Sequence, residues 1–425
     1  MKVTKEKTEN SQAFLTIELE SAEVEDALKT SYKRLVKKTN IPGFRKGKAP
    51  QAVLESYIGR ESLLQDALDN LIPEAYEKAL TEQEIEPIAQ PHIELTETDP
   101  VVFKATVPLK PRVETGDYHH IQLTPEPVEI TEDDVSAAIE QLRHQHATWE
   151  PVERAVDFGD LAVLDVESNI DDKPFINQQG AQYQVVRDLP LPMPGFAEQL
   201  LGMKRDEEKQ FKLRFPSDYP RGELAGKEAS FRVRVTEIKQ ERLPELDDEF
   251  ARGINPDFKT LASLREQVST NLKLRAEERA KADFEERAIE AAVDVTQVEF
   301  PPILVELEID RLLREQSQRL QMGGQGLEEY LRSINKTEAE LREELHPLAT
   351  KRVTQSLVLG KIAEQEKIEV NDSEIDAEIE NMIKGAAENK EELGKFLNTA
   401  QSREAIRQSL LTGKTVQRLV EIAKG

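Results

Sequence analysis

The stretch NIPGFRKGKAP, residues 40–50, carries Arg45, Lys46 and Lys48 and no acid. From Ala27 to Leu54 there is no Asp or Glu. Lys29, Lys33, Arg34, Lys37, Lys38, Arg45, Lys46 and Lys48 give that window a charge of +8. The whole chain is acidic, with 57 Lys and Arg against 82 Asp and Glu and a formal net charge of -25. Outside the window, 49 basic residues face 82 acids, so the remainder sums to -33. A concentrated run of cations with Phe44 at its centre suits an anionic surface that offers an apolar crevice. Gly43 and Gly47 allow a tight, protruding turn. The alternative is a solvated basic turn with Phe44 folded into its own domain, and composition weighs the two equally.

A second group is aromatic: Phe175, Tyr183, Phe196, Tyr219 and Phe231, a large share of the chain's few aromatic residues. The plain explanation for them is the core of a small domain. The six histidines, His92, His119, His120, His144, His146 and His346, form no H-x-x-x-H pair, so no metal site is expected. MGGQGLEE lacks the Lys-Ser/Thr of a phosphate loop and reads as a connection between helices. The carboxylates are spread too evenly to select a catalytic pair, and nothing resembles a nucleophile with its base. With no cysteine, disulfide and thiolate chemistry are excluded.

These groups need elements to hold them. AFLTIELE (13–20) alternates like a strand, and Ser21 reads as the N-cap of a helix. That helix carries Val24, Leu28, Tyr32, Leu35 and Val36 on one face, with Lys33 and Lys37 off it, and should stop near TNIPG. A second helical region follows Pro50, with Pro73 expected to kink or restart it. HIELTE and VVFKATVPLKP read as extended, so residues 1–112 form a small α+β unit whose basic loop joins two helices. A Pro- and Glu-rich linker then enters a helix. VEITEDDVSAAI (128–139) and IEVNDSEIDAEI (368–379) share one pattern: a short extended piece, an N-cap, an acid three residues on, then a helix. Either a common capping box occurs twice, or both segments belong to one helical domain. Residues 154–240 alternate in DLAVLDVES, KQFKLRFP and KEASFRVRVTEIK, with Gly and Pro punctuation at LPLPMPGF and FPSDYPRGELAGK. This is a compact β-rich insertion. From about Leu243 to Gly425 the chain is helical by pattern.

A length of 425 residues suggests roughly three domains. Hydrophobic residues make up 38% and charged residues 33%, which favours a helix-rich, extended, well-solvated protein. The acidity opposes general nucleic-acid affinity, so no DNA partner is expected. The N-terminus lacks the apolar segment of a secretory signal, and no stretch approaches the ~18 apolar residues of a membrane span. A cytoplasmic protein without a membrane partner is expected.

GFRKGKAP resembles the ribosome-binding signature of the bacterial trigger factor family. MPGFAEQLLGMKRDEEKQFKLRFPSDY is similar to the FKBP-type prolyl isomerase module, and ERLPELDDEFA to the segment that follows it in trigger factors. IEVNDSEIDAEI resembles a recurrent segment of the family's C-terminal chaperone domain. The resemblance covers essentially the whole chain, in order. It implies an α+β multidomain protein: a ribosome-binding domain over 1–112, a linker and first part of the helical chaperone domain over 113–153, an FKBP-like domain over 154–240, and the helical C-terminal chaperone domain over 241–425. The all-α chaperone domain would be discontinuous, which favours the second account of the paired capping segments. Gly43, Phe44, Arg45 and Lys46 would touch the large ribosomal subunit beside the peptide exit tunnel. Phe175, Tyr183, Met193, Phe196, Tyr219 and Phe231 would form the prolyl pocket. No cofactor is implied. Nascent and unfolded polypeptides are the implied clients, and the free protein could form a homodimer.

The pocket departs from the family pattern. Val166 stands in DVES where an aromatic is usual, Ile176 replaces an acid, NQQGAQ replaces a Gly-rich piece, and Pro192 replaces an aliphatic residue. The expected isomerase activity is therefore weak. Rival readings are a dedicated or free cytoplasmic prolyl isomerase and chaperone not docked on ribosomes, a periplasmic chaperone-isomerase, and a structural helical protein without clients.

Overall fold

The computed structural model describes all residues except 171–172, 188–191, 218, 220–223 and 386–388. Parts of the expected turns LPLPMPGF and FPSDYPRGELAGK lie outside the described residues. The chain divides into two compact units, 1–125 with 283–425, and 126–282.

The first unit begins with a hairpin of β1 (Lys2–Glu9) and β2 (Gln12–Glu18). Asn10 and Ser11 turn it, with φ of 50° and 49°, the positive values that a two-residue hairpin turn demands. β2 buries alternate residues Ala13, Leu15 and Ile17. In α1 (Ser21–Lys38) the N-cap is Glu20 rather than Ser21, and its N–H donates to the Glu23 carboxylate at 3.0 Å. The helix ends at Lys38, where the approaching Pro42 and Gly43 forbid continuation. α2 (Gln51–Ile58) and α3 (Arg60–Glu82) are separated at Gly59, whose φ is +86°. Pro73, expected to interrupt, lies inside α3 instead. It sits on the exposed side with Asp69, so the carbonyl it leaves without a donor can reach water. β3 (His92–Thr98) and β4 (Val101–Pro108) complete an antiparallel sheet of order β1-β2-β4-β3. Leu68, Ala75, Tyr76 and Ala79 of α3 cover its buried face, on Leu15, Ile17, Phe103 and Val107. β5 (Arg112–Thr115) leaves that sheet.

The second unit starts with α4 (Glu132–Gln145), capped as expected: Thr131 Oγ1 accepts from the Asp134 N–H at 3.2 Å. β6 (Thr148–Pro151), β7 (Leu161–Ile170), β8 (Lys173–Gln184), β9 (Glu208–Arg214) and β10 (Glu228–Arg242) make a five-stranded antiparallel sheet, with the short α5 (Phe196–Leu200) between β8 and β9. β10 spans it, pairing β7 along one edge and β9 then β6 along the other. A bulge between Val235 and Glu237 shifts its inward residues from Phe231, Val233 and Val235 to Ile238. Val135 and Ile139 of α4 pack on Phe250 and Ala251 of α6 (Asp248–Ile254) and Leu264 of α7 (Leu261–Asp294).

The chain then returns to the first unit. β11 (Thr296–Glu299) pairs with β5. The helices α8 (Ile303–Met322), α9 (Leu327–Ser333), α10 (Glu338–Gln365), α11 (Asp372–Gly385), α12 (Lys390–Leu397) and α13 (Ala400–Lys424) follow. α11 repeats the capping box, with Asn371 Oδ1 accepting from the Glu374 N–H at 3.1 Å. Its Ile375 and Ile379 bury against Leu397 and Ile406. The two capping segments start helices that bury in separate hydrophobic clusters. No helix among the described residues is long and apolar enough to cross a membrane.

Candidate functional site

The basic stretch is a loop held at its base. Val36, Ile41, Ala49 and Leu54 are buried together, with Tyr32, Leu35, Val53 and Ile58 around them. Tyr32 Oη donates to the Ala49 carbonyl at 2.7 Å, and the Gly47 N–H donates to the Val36 carbonyl at 3.0 Å. Gly43 and Gly47 take φ of +85° and +82°, which only glycine adopts readily. Nothing lies within 4 Å of a side chain placed at Gly43, so its backbone geometry alone calls for glycine. Above this base the side chains point outward: Phe44 is 42% exposed, and Arg45, Lys46 and Lys48 are exposed. Phe44 is therefore not folded into its own domain.

The eight cations of the window are not equivalent. Arg34 Nη2 meets Asp66 Oδ2 at 2.6 Å, and Lys29 meets Asp26 at 3.0 Å. Burial pushes the Asp66 carboxyl up, but hydrogen bonds from Arg34 and Ser31 outweigh it and hold the group below its usual value. Lys33, Lys37, Lys38, Arg45, Lys46 and Lys48 make no ion pair among the described residues. Of these six, Lys38 still acts on the Asp66 carboxyl through its charge.

The aromatic set lies in one hydrophobic cluster of the second unit, but in two roles. Met193, Phe196 and Phe231 are at most 2% exposed and form its core. Phe175, Tyr183 and Tyr219 are half-buried against it. Tyr183 meets Phe196 edge-on at 5.1 Å between centroids, and Phe196 meets Phe231 at 5.3 Å. Phe175 and Tyr219 both meet Phe215, at 6.0 and 4.8 Å. Phe211, stacked on Phe231 at 5.5 Å, and Phe215 link the set and were missed as members. The signal for them was the alternation in KQFKLRFP, which sends Phe211, Leu213 and Phe215 to one side. Burial, and then the Glu198 carboxylate, push the Tyr183 hydroxyl up to about 12, so it stays protonated across the physiological range.

The residues expected to depart from the family pattern, apart from Pro192, lie on β7 and β8. Val166 is buried in the cluster and Ile176 packs against it. The Ile176 N–H donates to the buried Ser168 Oγ at 3.1 Å. NQQGAQ continues β8 as strand, with Gly180 at φ +66° and its N–H donating to Asp165 Oδ1 at 2.9 Å. Three histidines each face one carboxylate: His144 with Glu241, His120 with Asp117 and His119 with Glu366.

A family model described as bacterial trigger factor protein matches residues 1–142, and one described as bacterial trigger factor protein C-terminus matches residues 260–421. The chain belongs to the trigger factor family. The trigger factor of Dehalococcoides mccartyi (strain CBDB1) is 44% identical over 424 residues, covering 100% of this chain and 95% of its own. That of Halalkalibacterium halodurans is 37% identical over 425 residues, covering 99% and 98%. A solved structure of the trigger factor chaperone covers 99% of each chain at 24% identity, with a TM-score of 0.48. The basic loop lies within the first matched stretch of this trigger factor family member. The aromatic cluster falls between the two matched stretches, in a region that the full-length relatives span.

Proposed function

We propose that the chain is a chaperone that docks on the large ribosomal subunit beside the peptide exit tunnel, through Gly43, Phe44, Arg45 and Lys46. The observation that carries this is the exposed, rigidly based loop: an apolar ring among unpaired cations, on a chain that is otherwise strongly acidic. Ribosomal RNA attracts the loop and repels the remainder, so one end of the molecule faces the particle. Ribosomes pelleted through sucrose at two salt concentrations test it. Wild type should co-sediment, less so at higher salt, and Phe44→Ala/Arg45→Ala/Lys46→Ala should stay in the supernatant. Equal binding by both proteins would refute it.

The four-part organisation read from the sequence goes with this function, as does a cytoplasmic location. Nascent and unfolded chains would be held by apolar side chains that the helices leave exposed, such as Met322, Phe396, Met382 and Leu307, through several weak contacts. No step needs a nucleotide, so suppression of client aggregation should proceed without ATP. A strict ATP requirement would count against it. The free protein could also form a homodimer.

The β-rich module would act on prolyl bonds through Phe175, Tyr183, Met193, Phe196, Tyr219 and Phe231. An apolar wall favours the twisted, less polar amide against a barrier of ~18–20 kcal/mol, with no nucleophile. Val166 and Ile176 remove an aromatic wall and an acid, so isomerisation should be weak. A protease-coupled assay on a short X-Pro peptide checks this, and turnover at the level of robust family members would refute it.

A further inference from the structure

We infer that Phe215 is a positioning residue of the prolyl pocket, setting the aim and spacing of Phe175 and Tyr219 at its open margin; this rests on the prolyl reading of the β-rich module above. Phe175 and Tyr219 are half-buried, and neither sits on regular backbone. On β8, Pro174 lies opposite Asn169 and Ile176 opposite Ser168, so Phe175 is the extra residue of a bulge. A bulge residue is left unpaired by the ladder, and the direction of its side chain falls to whatever it packs on. Tyr219 lies beyond the end of β9, in a turn where its N–H donates to the Pro216 carbonyl at 3.2 Å. No ring contact joins Phe175 to Tyr219 among the described residues.

Phe215 is the neighbour that the two rings share. It meets Phe175 edge-on, at 6.0 Å and 84°, and Tyr219 tilted, at 4.8 Å and 59°. At 1% exposed, it acts through those rings and not by touching a peptide itself. Its backbone is held in both directions. Its N–H donates to the Lys227 carbonyl at 2.9 Å, and its carbonyl accepts from the Gly226 N–H at 3.2 Å. These bonds carry the β9–β10 pairing one residue past Arg214, which lies opposite Glu228. A close-packed ring on paired backbone has little freedom to move. Edge-on and tilted ring contacts fix an angle as well as a distance. Leucine at 215 would fill much of the space but offer no ring face, leaving Phe175 and Tyr219 free to turn. A pocket that must order its rings at each binding event binds more weakly.

The test uses the full chain. It measures the affinity of a labelled Leu-Pro peptide by fluorescence polarisation, and KM and kcat in the protease-coupled assay. Phe215→Leu should bind the peptide several-fold more weakly and raise KM more than it lowers kcat, with the sheet still folded by Trp149 fluorescence. Phe175→Ala/Tyr219→Ala should also bind weakly. Adding Phe215→Leu to that pair should lose nothing further, because the rings it positions are gone. Val235→Ala, a buried change on β10 outside the ring set, should lower the melting temperature and leave the affinity near wild type. If Phe215→Leu does not fold, Phe215→Met, an unbranched side chain that adapts to the gap, is read in its place. Wild-type affinity in the Phe215 variant overturns the positioning role and leaves the prolyl reading intact. So does the same fold-loss in the background without the two rings, or an equal loss in Val235→Ala. Absence of both peptide binding and turnover in wild type removes the prolyl reading itself.

Discussion

The Tyr118 hydroxyl donates to Glu366 Oε1 at 3.0 Å, joining the turn that follows β5 to the end of α10. Arg418 of α13 takes the other carboxylate oxygen, its Nε 2.9 Å from Glu366 Oε2. The Arg418 hydrogen bond, helped by Tyr118 and opposed by burial, holds the Glu366 carboxyl below its usual value. Burial first, then the hydrogen bond to the Glu366 carboxylate and its charge, push the Tyr118 hydroxyl up to about 12.

Opposite pH dependences follow from this pair. Glu366 is lowered in the fold, so its stabilisation is present above the ordinary carboxylate value and is lost as pH falls through the folded value. Tyr118 is raised, so its stabilisation is present below the ordinary 10.0 and is lost as pH rises toward about 12. Melting temperature against pH should fall at both ends. Tyr118→Phe should cost about 1 kcal/mol at neutral pH. It should also lessen the alkaline fall between roughly pH 10 and 12. An unchanged alkaline limb would contradict the pairing.

Tyr76 is 8% exposed, and its hydroxyl has no hydrogen-bond partner among the described residues. Burying that group unpaired costs stability, so removing it should help. Tyr76→Phe should raise the urea midpoint with an unchanged m-value, by about 1 kcal/mol. A loss of stability would mean that the hydroxyl has a partner.

The sequence was most legible where one face of an element is buried. β2, β7 and β10 announce themselves because Ala13, Leu15 and Ile17, or Phe231, Val233 and Val235, alternate with polar residues. β1 was not read, because nearly every residue of KVTKEKTE is exposed and an edge strand wet on both faces carries no alternation. β5 and β11 were not read either. Each has four residues, and they pair across some 180 positions of sequence, Arg112 with Glu299. The composition of the loop was plain, but the exposure of Phe44 was not, since it depends on Tyr32 and Leu54 closing the base beneath it.

The basic window divides into residues with partners in the fold and residues proposed to dock. Arg34 is committed to Asp66, and its Nη1 also donates to Asn70 Oδ1 at 3.1 Å. Arg34→Gln should lower stability by up to about 1 kcal/mol, as for a partly exposed pair. It should leave ribosome co-sedimentation near wild type, although it removes the same formal charge as Arg45→Gln. Equal loss of binding in both variants would show that net charge, rather than placement, decides.

The aromatic cluster should separate in the same way. Phe231 is 2% exposed at the centre of the sheet, so Phe231→Ala leaves a cavity that its neighbours cannot fill, at about 3–5 kcal/mol. Phe175 is half-buried at the margin, with one aromatic neighbour among the described residues, Phe215 at 6.0 Å, so Phe175→Ala should keep the fold. The chain's one tryptophan, Trp149, lies in β6 opposite Glu241 of β10 and reports on this sheet. Its fluorescence should show Phe231→Ala unfolding at much lower urea than wild type, and Phe175→Ala close to wild type. Binding of a proline-containing peptide should nevertheless weaken in Phe175→Ala. If peptide binding survives Phe175→Ala unchanged while the sheet stays folded, the half-buried ring is only a margin of the core, and the prolyl contact must lie elsewhere on the module.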